Sequence, residues 1–290
     1  MNRKKKGTSY INYSYEDTFV DAVEKAEQKR IEELLARGRV KSVYATKTIK
    51  AGEQFEVEIY PEFTRRQGKE LGLKKTNKAQ RNLNDKNARK RLERLINANF
   101  KNGDYWLTLT YDNKHLPGSM DEAKKNMKNF IKRVNYRRSK EGLGNAKYIY
   151  ITEYRCTGEK KVRCHHHMLI DCGLLGEIVE KMWKGGRRNN IRRIEADEEG
   201  LTGLAEYLTK DPAGAKRWCA STNLKQPEER KRYSRFKESH VRRMVQGKIC
   251  IKEALEKKYP KMIYTREEIR YNDVNGKFYI YVRMRERRDE

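Results

Sequence analysis

The sequence predicts an α+β fold: a ferredoxin-like or split βαβ antiparallel sheet with helices on one side, plus basic N- and C-terminal extensions with hairpins. Three observations lead to this prediction. Between residues 104 and 212, strand and helix periods alternate in the order β-α-β-β-α-β-α. A hairpin pattern lies on each side of that segment. Hydrophobic residues make up 36% of the 290 residues, which is low but enough for a core in the middle of the chain.

The N-terminal region, residues 1–99, is predicted to hold a helix, a hairpin and a basic helix. Apolar periodicity places the first helix over about 15–37, and alternation places the hairpin around 51–53. The basic helix covers about 76–98, in a stretch where residues 65–101 carry 13 basic residues against three acidic ones. Its cations are Arg81, Lys86, Arg89, Lys90 and Arg94. They either follow DNA phosphates or form a solvated face.

The central domain, residues 100–212, holds the predicted sheet, and the C-terminal extension, residues 213–290, is a basic stretch that ends in a hairpin about Asn275-Gly276. The predicted elements of the central domain are a strand at 104–112, a helix at 120–138, a hairpin at 147–171, a helix at 174–183, a strand at 190–196 and a helix at 200–210.

The hairpin at 147–171 carries three consecutive histidines out of five in the whole chain. Side chains two apart leave a strand on the same face, so His165 and His167 point together and His166 points away. Glu153 on the neighbouring strand can reach that pair if the register allows. Two imidazoles and a carboxylate suit a divalent ion, so we predict a metal site. The alternative is a polar strand with solvent-facing histidines.

The helix at 200–210 carries Tyr207 and Lys210, which are neighbours on its surface because they are three residues apart. A phenol attacks a phosphodiester only when the phosphate is polarised and its developing charge is neutralised. Alone the pair is an ordinary amphipathic pattern, and Tyr111 and Lys114 have the same spacing. The metal strand upstream favours Tyr207 as a nucleophile and Lys210 as its supporting cation.

The charge of the chain indicates a polyanionic partner. Lys and Arg number 68 against 41 Asp and Glu, a formal charge of +27, which a nucleic acid would neutralise while releasing its counterions. A solvated basic surface is the alternative. The sequence has no run of 18 apolar residues and no apolar stretch after its basic start, so we expect a cytoplasmic protein without a membrane partner. Its five cysteines lack paired spacing, as in a reducing compartment.

Three motifs together resemble the HUH endonucleases, specifically the rolling-circle replication initiators (Rep proteins) of plasmids, phages and small single-stranded DNA viruses. WLTLTY (106–111) resembles the family's first strand, HHHMLI (165–170) its His-hydrophobic-His strand, and EYLTKD (206–211) its Tyr-x-x-Lys helix. His166 departs from the pattern because it fills the hydrophobic position.

This resemblance implies a metal-dependent endonuclease and strand transferase that nicks single-stranded DNA at a replication origin. Tyr207 would form a 5′-phosphotyrosine and Lys210 would assist, with His165, His167 and Glu153 holding Mn²⁺ or Mg²⁺. The sequence has no Gly-x4-Gly-Lys-Ser/Thr loop, so a host helicase is expected as a partner.

Three other interpretations remain open from the sequence. A single-tyrosine HUH transposase would use the same chemistry on a mobile element. A non-catalytic RRM-like module would read bases with aromatic residues of the sheet, for which Trp106, Tyr148 and Tyr150 are candidates. A structural zinc site would combine the histidines with cysteines. The candidate cysteines are Cys156, Cys164 and Cys172.

Overall fold

The structure, a computed structural model, describes most of the chain from residue 42 onward. The described residues are 42–63, 77–155, 162–197, 199–209, 218–233, 235–272 and 276–287. The predicted helix over 15–37 lies outside them. The chain divides into two compact units, one of residues 1–91 and 227–290 and one of residues 92–226. The second is called the central unit below.

The described residues form ten strands and six helices. In chain order they are β1 (Ser42–Ala51), β2 (Gln54–Phe63), α1 (Asn77–Asn99), β3 (Tyr105–Thr110), α2 (Met120–Lys140), β4 (Tyr148–Arg155), β5 (Val162–Ile170), α3 (Gly176–Lys181), β6 (Asn190–Arg193), α4 (Thr202–Thr209), β7 (Cys219–Ala220), β8 (Glu228–Tyr233), α5 (Glu238–Val245), α6 (Ile251–Lys258), β9 (Met262–Asn272) and β10 (Lys277–Glu286).

The central unit is built on a five-stranded antiparallel sheet in the order β6-β3-β5-β4-β7. Its first four strands have the order of a split βαβ fold, so the predicted α+β class is confirmed. β5 lies in the middle, hydrogen bonded to β3 on one side and β4 on the other. A central strand has both edges paired, which gives the histidines of β5 a rigid support.

Helices cover both faces of this sheet, so the prediction that they lie on one side was wrong. α2 and α3 pack on the face that carries Leu107 and Met168. The C-terminal half of α1 and all of α4 pack on the face that carries Trp106 and Leu169. The reason is that the strands are apolar at successive positions, as in a sheet buried on both faces, and each face therefore needs its own cover.

The other unit holds a second five-stranded antiparallel sheet in the order β8-β1-β2-β10-β9. The predicted hairpins form its β1–β2 and β9–β10 pairs. One face packs against α5 and α6 through apolar residues of β2 and β10. The sequence prediction missed both helices and β8, all within a stretch interpreted only as basic. No helix among the described residues is long and apolar enough to span a membrane.

Candidate metal centre

The register of the central sheet brings the predicted metal ligands together. Glu153 of β4 lies directly opposite His165 of β5, and Thr108 of β3 lies directly opposite His167. Because side chains alternate along a strand, His165, His167 and Glu153 leave the sheet on the face covered by α4. His166 leaves on the face covered by α2.

Glu153, His165 and His167 form a group with the composition and size of a metal site, their ligand atoms all lying within 4.8 Å of one another. The two Nε2 atoms are 3.2 Å apart. The Glu153 carboxylate lies 3.6 Å from each of them, one oxygen towards each ring. Ligands at right angles about an ion with bonds of about 2.1 Å are roughly 3 Å apart, so the residues present fit a divalent cation.

Hydrogen bonds on the far side of each ring turn the Nε2 lone pairs towards this point. Nδ1 of His165 lies 2.8 Å from the carbonyl oxygen of Arg163, which can only accept, so Nδ1 carries the proton. Nδ1 of His167 lies 3.1 Å from the Thr108 hydroxyl. This is how metal-ligating histidines are held, with the second nitrogen bonded to a protein oxygen. The arrangement concentrates two lone pairs and a carboxylate where a cation would relieve their repulsion.

Burial keeps His167 neutral and ready to act as a ligand. The side chain is only 6% exposed, and burial, helped by the neighbouring His165, lowers its pKa to about 4. Trp106 stacks against the ring with centroids 5.5 Å apart and planes 24° apart. A neutral imidazole has a free lone pair, so His167 needs no deprotonation at neutral pH before it binds a metal.

Tyr207 lies beside this group. α4 packs its apolar side, including Ala205 and Leu208, against the sheet. The Tyr207 hydroxyl comes to 3.5 Å from Nε2 of His167, and its ring meets the edge of Trp106 at 5.6 Å. The residue is 51% exposed, so its hydroxyl is open to a substrate while the histidines beneath are more buried.

The other predicted site residues are placed as follows. Lys210 lies outside the described residues. Arg81 belongs to α1, but its side chain is outside the described part. Lys86 and Arg89 are exposed on α1, and Lys90 lies over the ring of Tyr281 at 4.3 Å from its centroid. Arg94 is half-buried in the part of α1 that belongs to the central unit.

His166 is a core residue. It is fully buried, and its two nitrogens lie 2.8 Å from the hydroxyl of Tyr111 and 2.8 Å from that of Thr152. Trp183 meets its ring edge-on at 5.6 Å. Burial lowers the pKa of His166 to about 3, so it is neutral, with one nitrogen donating and the other accepting. A histidine in the hydrophobic position is accommodated because both of its nitrogens have hydrogen-bond partners.

Two alternative interpretations lose their structural basis. Cys164 is buried in the core on the opposite face from His165 and His167, so it does not join them in a zinc site. Cys156 is outside the described residues and Cys172 is exposed beyond the end of β5. For an RRM-like module the sheet would need an open aromatic face, but Trp106 and Tyr150 are buried beneath helices.

Sequence reasoning missed the supporting roles of Thr108 and Trp106. Thr108 bonds Nδ1 of His167, and Trp106 stacks on the same ring. A signal exists, since Trp106 and Thr108 are two apart in WLTLTY and therefore share one face of β3. The pairing of Thr108 with His167 across the sheet is what assigns that face to the metal group.

Comparison with protein families supplies independent evidence. Residues 104–212 match the model of a family of replication-associated proteins, the ORF2 type. These residues form a replication-associated domain. The match is consistent with the predicted rolling-circle replication initiator. Comparisons with curated proteins and with solved structures give no significant match.

The replication-associated domain contains the whole candidate site. It begins at Asp104, just before β3, and ends at Pro212, just after α4. Glu153, His165, His167 and Tyr207 all lie within it. The family match and the three-ligand group are therefore two independent observations on the same segment of the chain.

Proposed function

We propose that the replication-associated domain nicks single-stranded DNA at a replication origin with the help of a divalent metal and becomes joined to the 5′ end through Tyr207. The observation that carries this proposal is the 3.5 Å distance between the Tyr207 hydroxyl and Nε2 of His167. A nucleophile for phosphoryl transfer and a ligand group for a metal thus lie on one face of one sheet.

The chain's own residues account for binding and positioning. α4 holds Tyr207 at the open side of the group, where a phosphate entering from solvent meets the phenol first. The fixed distance replaces a bimolecular encounter by a local attack, which is the main gain from tethering a nucleophile. His165, His167 and Glu153 would hold Mn²⁺ or Mg²⁺. When bound, the ion supplies Lewis-acid polarisation of the scissile phosphate.

The reaction conserves the energy of the phosphodiester. The phenolic oxygen of Tyr207 forms a bond to phosphorus, and the bond from phosphorus to the 3′ oxygen breaks. The 3′ oxygen takes up a proton and the phenolic proton is lost to solvent. The product is a 5′-phosphotyrosine and a free 3′-hydroxyl that can prime synthesis. Attack by a 3′-hydroxyl on the phosphotyrosine reverses the step and rejoins ends without ATP.

The ligand set favours Mn²⁺ over Mg²⁺. Imidazole nitrogen is a softer donor than carboxylate or water, and Mg²⁺ binds oxygen almost exclusively. With two imidazoles and one carboxylate, the group suits the softer of the two ions. Lys210, in the same proposal, neutralises charge that develops on the phosphate.

The covalent intermediate tests the proposal. We expect the full chain with Mn²⁺ to cleave 3′-labelled single-stranded oligonucleotides that tile its own replicon. A labelled protein band should then appear in denaturing electrophoresis. Tyr207→Phe keeps the ring packed against Trp106 and removes only the attacking oxygen, so the band should vanish and cleavage should fall to background.

Tyr136→Phe is the matched control. Tyr136 is 66% exposed on α2 in the same unit, so the substitution removes a comparably exposed phenol away from the metal group. This variant should form the covalent band at the wild-type rate. A band that persists in Tyr207→Phe would place the nucleophile elsewhere and overturn the assignment.

A further inference from the structure

The unit outside the replication-associated domain carries a basic cavity of about 380 Å³ at one side of its sheet. Strand pairing builds its floor, with Thr46 of β1 opposite Arg232 of β8 and Thr48 opposite Arg230. Residues two apart on a strand share a face, so both threonines and both arginines come to the same side of the sheet. The volume is in the range of sites that hold a nucleotide-sized ligand, about 300 to 1,000 Å³.

An aromatic pair and a fixed guanidinium form one wall of this cavity. Phe55 and Tyr259 have ring centroids 5.1 Å apart. Arg235 lies over the Tyr259 ring at 4.9 Å and donates a hydrogen bond of 3.0 Å to its hydroxyl. Its guanidinium is therefore held in one place at the cavity, with donor capacity left for a further ligand.

The cavity is positively charged. Of its nine lining residues four are basic and one, Glu228, is acidic. Arg230 lies 3.9 Å from Glu228, whereas Arg232 and Arg235 form no ion pair with any described residue. Two arginines with charge available on one concave surface favour a planar anion such as a phosphate, which their forked donors match.

A buried hydroxyl on the floor also lacks a partner. Thr46 is 1% exposed, and its Oγ1 makes no hydrogen bond within the part of the chain that the structure describes. Thr48, two residues further on, donates its hydroxyl to the Arg230 carbonyl. Buried polar groups are almost always hydrogen bonded, so an orphan at the floor of a cavity marks a place where a ligand atom completes the site.

A second basic cavity of about 280 Å³ continues from the first, and Arg235 lines both. It has no acidic lining residue. Its other lining residues are Lys237, Ser239, His240, Arg243 and Lys258. The two cavities together are called the arginine groove. A single small anion would fill one cavity, whereas a row of cations along both fits a polymer with repeated negative charges.

We propose that the arginine groove binds single-stranded DNA, with a nucleotide in the larger cavity and the neighbouring phosphate in the smaller one. A positive groove that follows the backbone, next to aromatic rings on which a base can stack, is how proteins bind single strands without reading their sequence. The groove lies outside the residues matched to the replication-associated family and involves none of the metal ligands. It would hold a strand whether or not nicking occurs.

Affinity measurements on the full chain test this assignment. The probe is fluorescein-labelled oligothymidylate of 12 nucleotides, in EDTA and in a Tyr207→Phe background, so that nicking chemistry cannot influence the result. Arg230→Gln with Arg232→Gln should weaken binding at least about fivefold. It should also lower the slope of log K against log salt by about 1.4, since each contact to a single-stranded phosphate contributes about 0.7.

Lys248→Gln with Lys252→Gln is the matched control, because both lysines are exposed in the same unit and line neither cavity. It removes the same charge and should change affinity less than twofold. Equal losses in the two double variants would reduce the effect to net charge and overturn the proposal. A loss confined to oligouridylate would overturn it in favour of an RNA site.

Photocrosslinking locates the strand directly. Oligothymidylate with one 5-iododeoxyuridine crosslinks to adjacent aromatic rings on irradiation, and peptide mass spectrometry then identifies the residue. We expect crosslinks at Phe55 or Tyr259, and their loss in the Arg230→Gln, Arg232→Gln chain. Crosslinks found solely within residues 92–226 would overturn the proposal even if affinity falls.

Discussion

His166 and His167 are neighbours in sequence but lie on opposite faces of β5, and their surroundings give them different roles. His167 faces Glu153 and Tyr207, with one nitrogen held by Thr108 and the other directed to the metal group. His166 has hydroxyl partners at both nitrogens and no free lone pair to offer. The same imidazole is thus suited to be a ligand in one setting and a core hydrogen-bonding group in the other.

The Thr108 hydroxyl should contribute to metal affinity without touching the metal. Thr108→Val keeps the shape of a strand residue and removes the partner of Nδ1 in His167, so Mn²⁺ affinity should fall about tenfold, against more than about 100-fold for His167→Ala. Isothermal titration calorimetry measures both. Thr110→Val, on the same strand but bonded to the Arg188 carbonyl, is the control and should bind Mn²⁺ as the wild type does.

His166→Leu separates stability from metal binding. The substitution leaves buried hydroxyls of Tyr111 and Thr152 without their imidazole partner, so the free energy of unfolding should fall by about 1 to 3 kcal/mol. Mn²⁺ affinity at a temperature where the variant is folded should stay within about threefold of wild type. Thermal denaturation and calorimetry measure the two quantities. Loss of metal binding with unchanged stability would mean that His166, not His165 or His167, is the ligand.

At the scale of elements, the exposed face of α1 offers the test of its predicted phosphate contacts. Lys86, Arg89 and Arg91 are exposed, whereas Lys90 is engaged with Tyr281 and is a poorer target. Reversing the three exposed cations to Glu should weaken binding of single-stranded oligonucleotides at least about tenfold and flatten its salt dependence. Fluorescence anisotropy over a range of salt concentrations measures this. An unchanged slope would assign these residues to a solvated face.

The sequence predicted the elements of the central unit well, because apolar periodicity is strong there and the turns are marked. It failed for β8, whose run Glu228–Tyr233 has charged residues at every position but the last and lies at a sheet edge, where no apolar alternation is needed. It failed for α5 because only Val241 and Met244 of that helix are buried. Spacing was enough to group the candidate ligands, but the role of Thr108 depends on cross-strand register, which spacing does not determine.

At the scale of the whole molecule, the family match is shorter than the unit that contains it. The match covers 104–212, while the compact unit covers 92–226. Leu92, Leu95 and Ile96 of α1 are buried in the core beneath α4. The division into 1–99, 100–212 and 213–290 stays a prediction, and in the structure the core beneath α4 includes residues before 100.

A pair of fragments tests this dependence. Residues 86–226 keep the apolar end of α1 and should unfold cooperatively and bind Mn²⁺. Residues 104–212 lose three large buried side chains, each worth about 2 to 5 kcal/mol, which exceeds the reserve of a typical domain. That fragment should show no cooperative transition in circular dichroism. Equal cooperativity of the two fragments would show that α1 contributes nothing to the core under the metal group.

The stacking of Trp106 on His167 gives the protein an optical probe of its own centre. The chain has three tryptophans, and Trp106 lies 5.5 Å from a candidate ligand ring while Trp183 packs on the opposite face of the sheet. Mn²⁺ is paramagnetic and quenches nearby indole emission, whereas diamagnetic Mg²⁺ does not. Comparing the fluorescence of the unlabelled chain in the two ions therefore reports occupancy and metal preference together, with Trp183 as an internal reference.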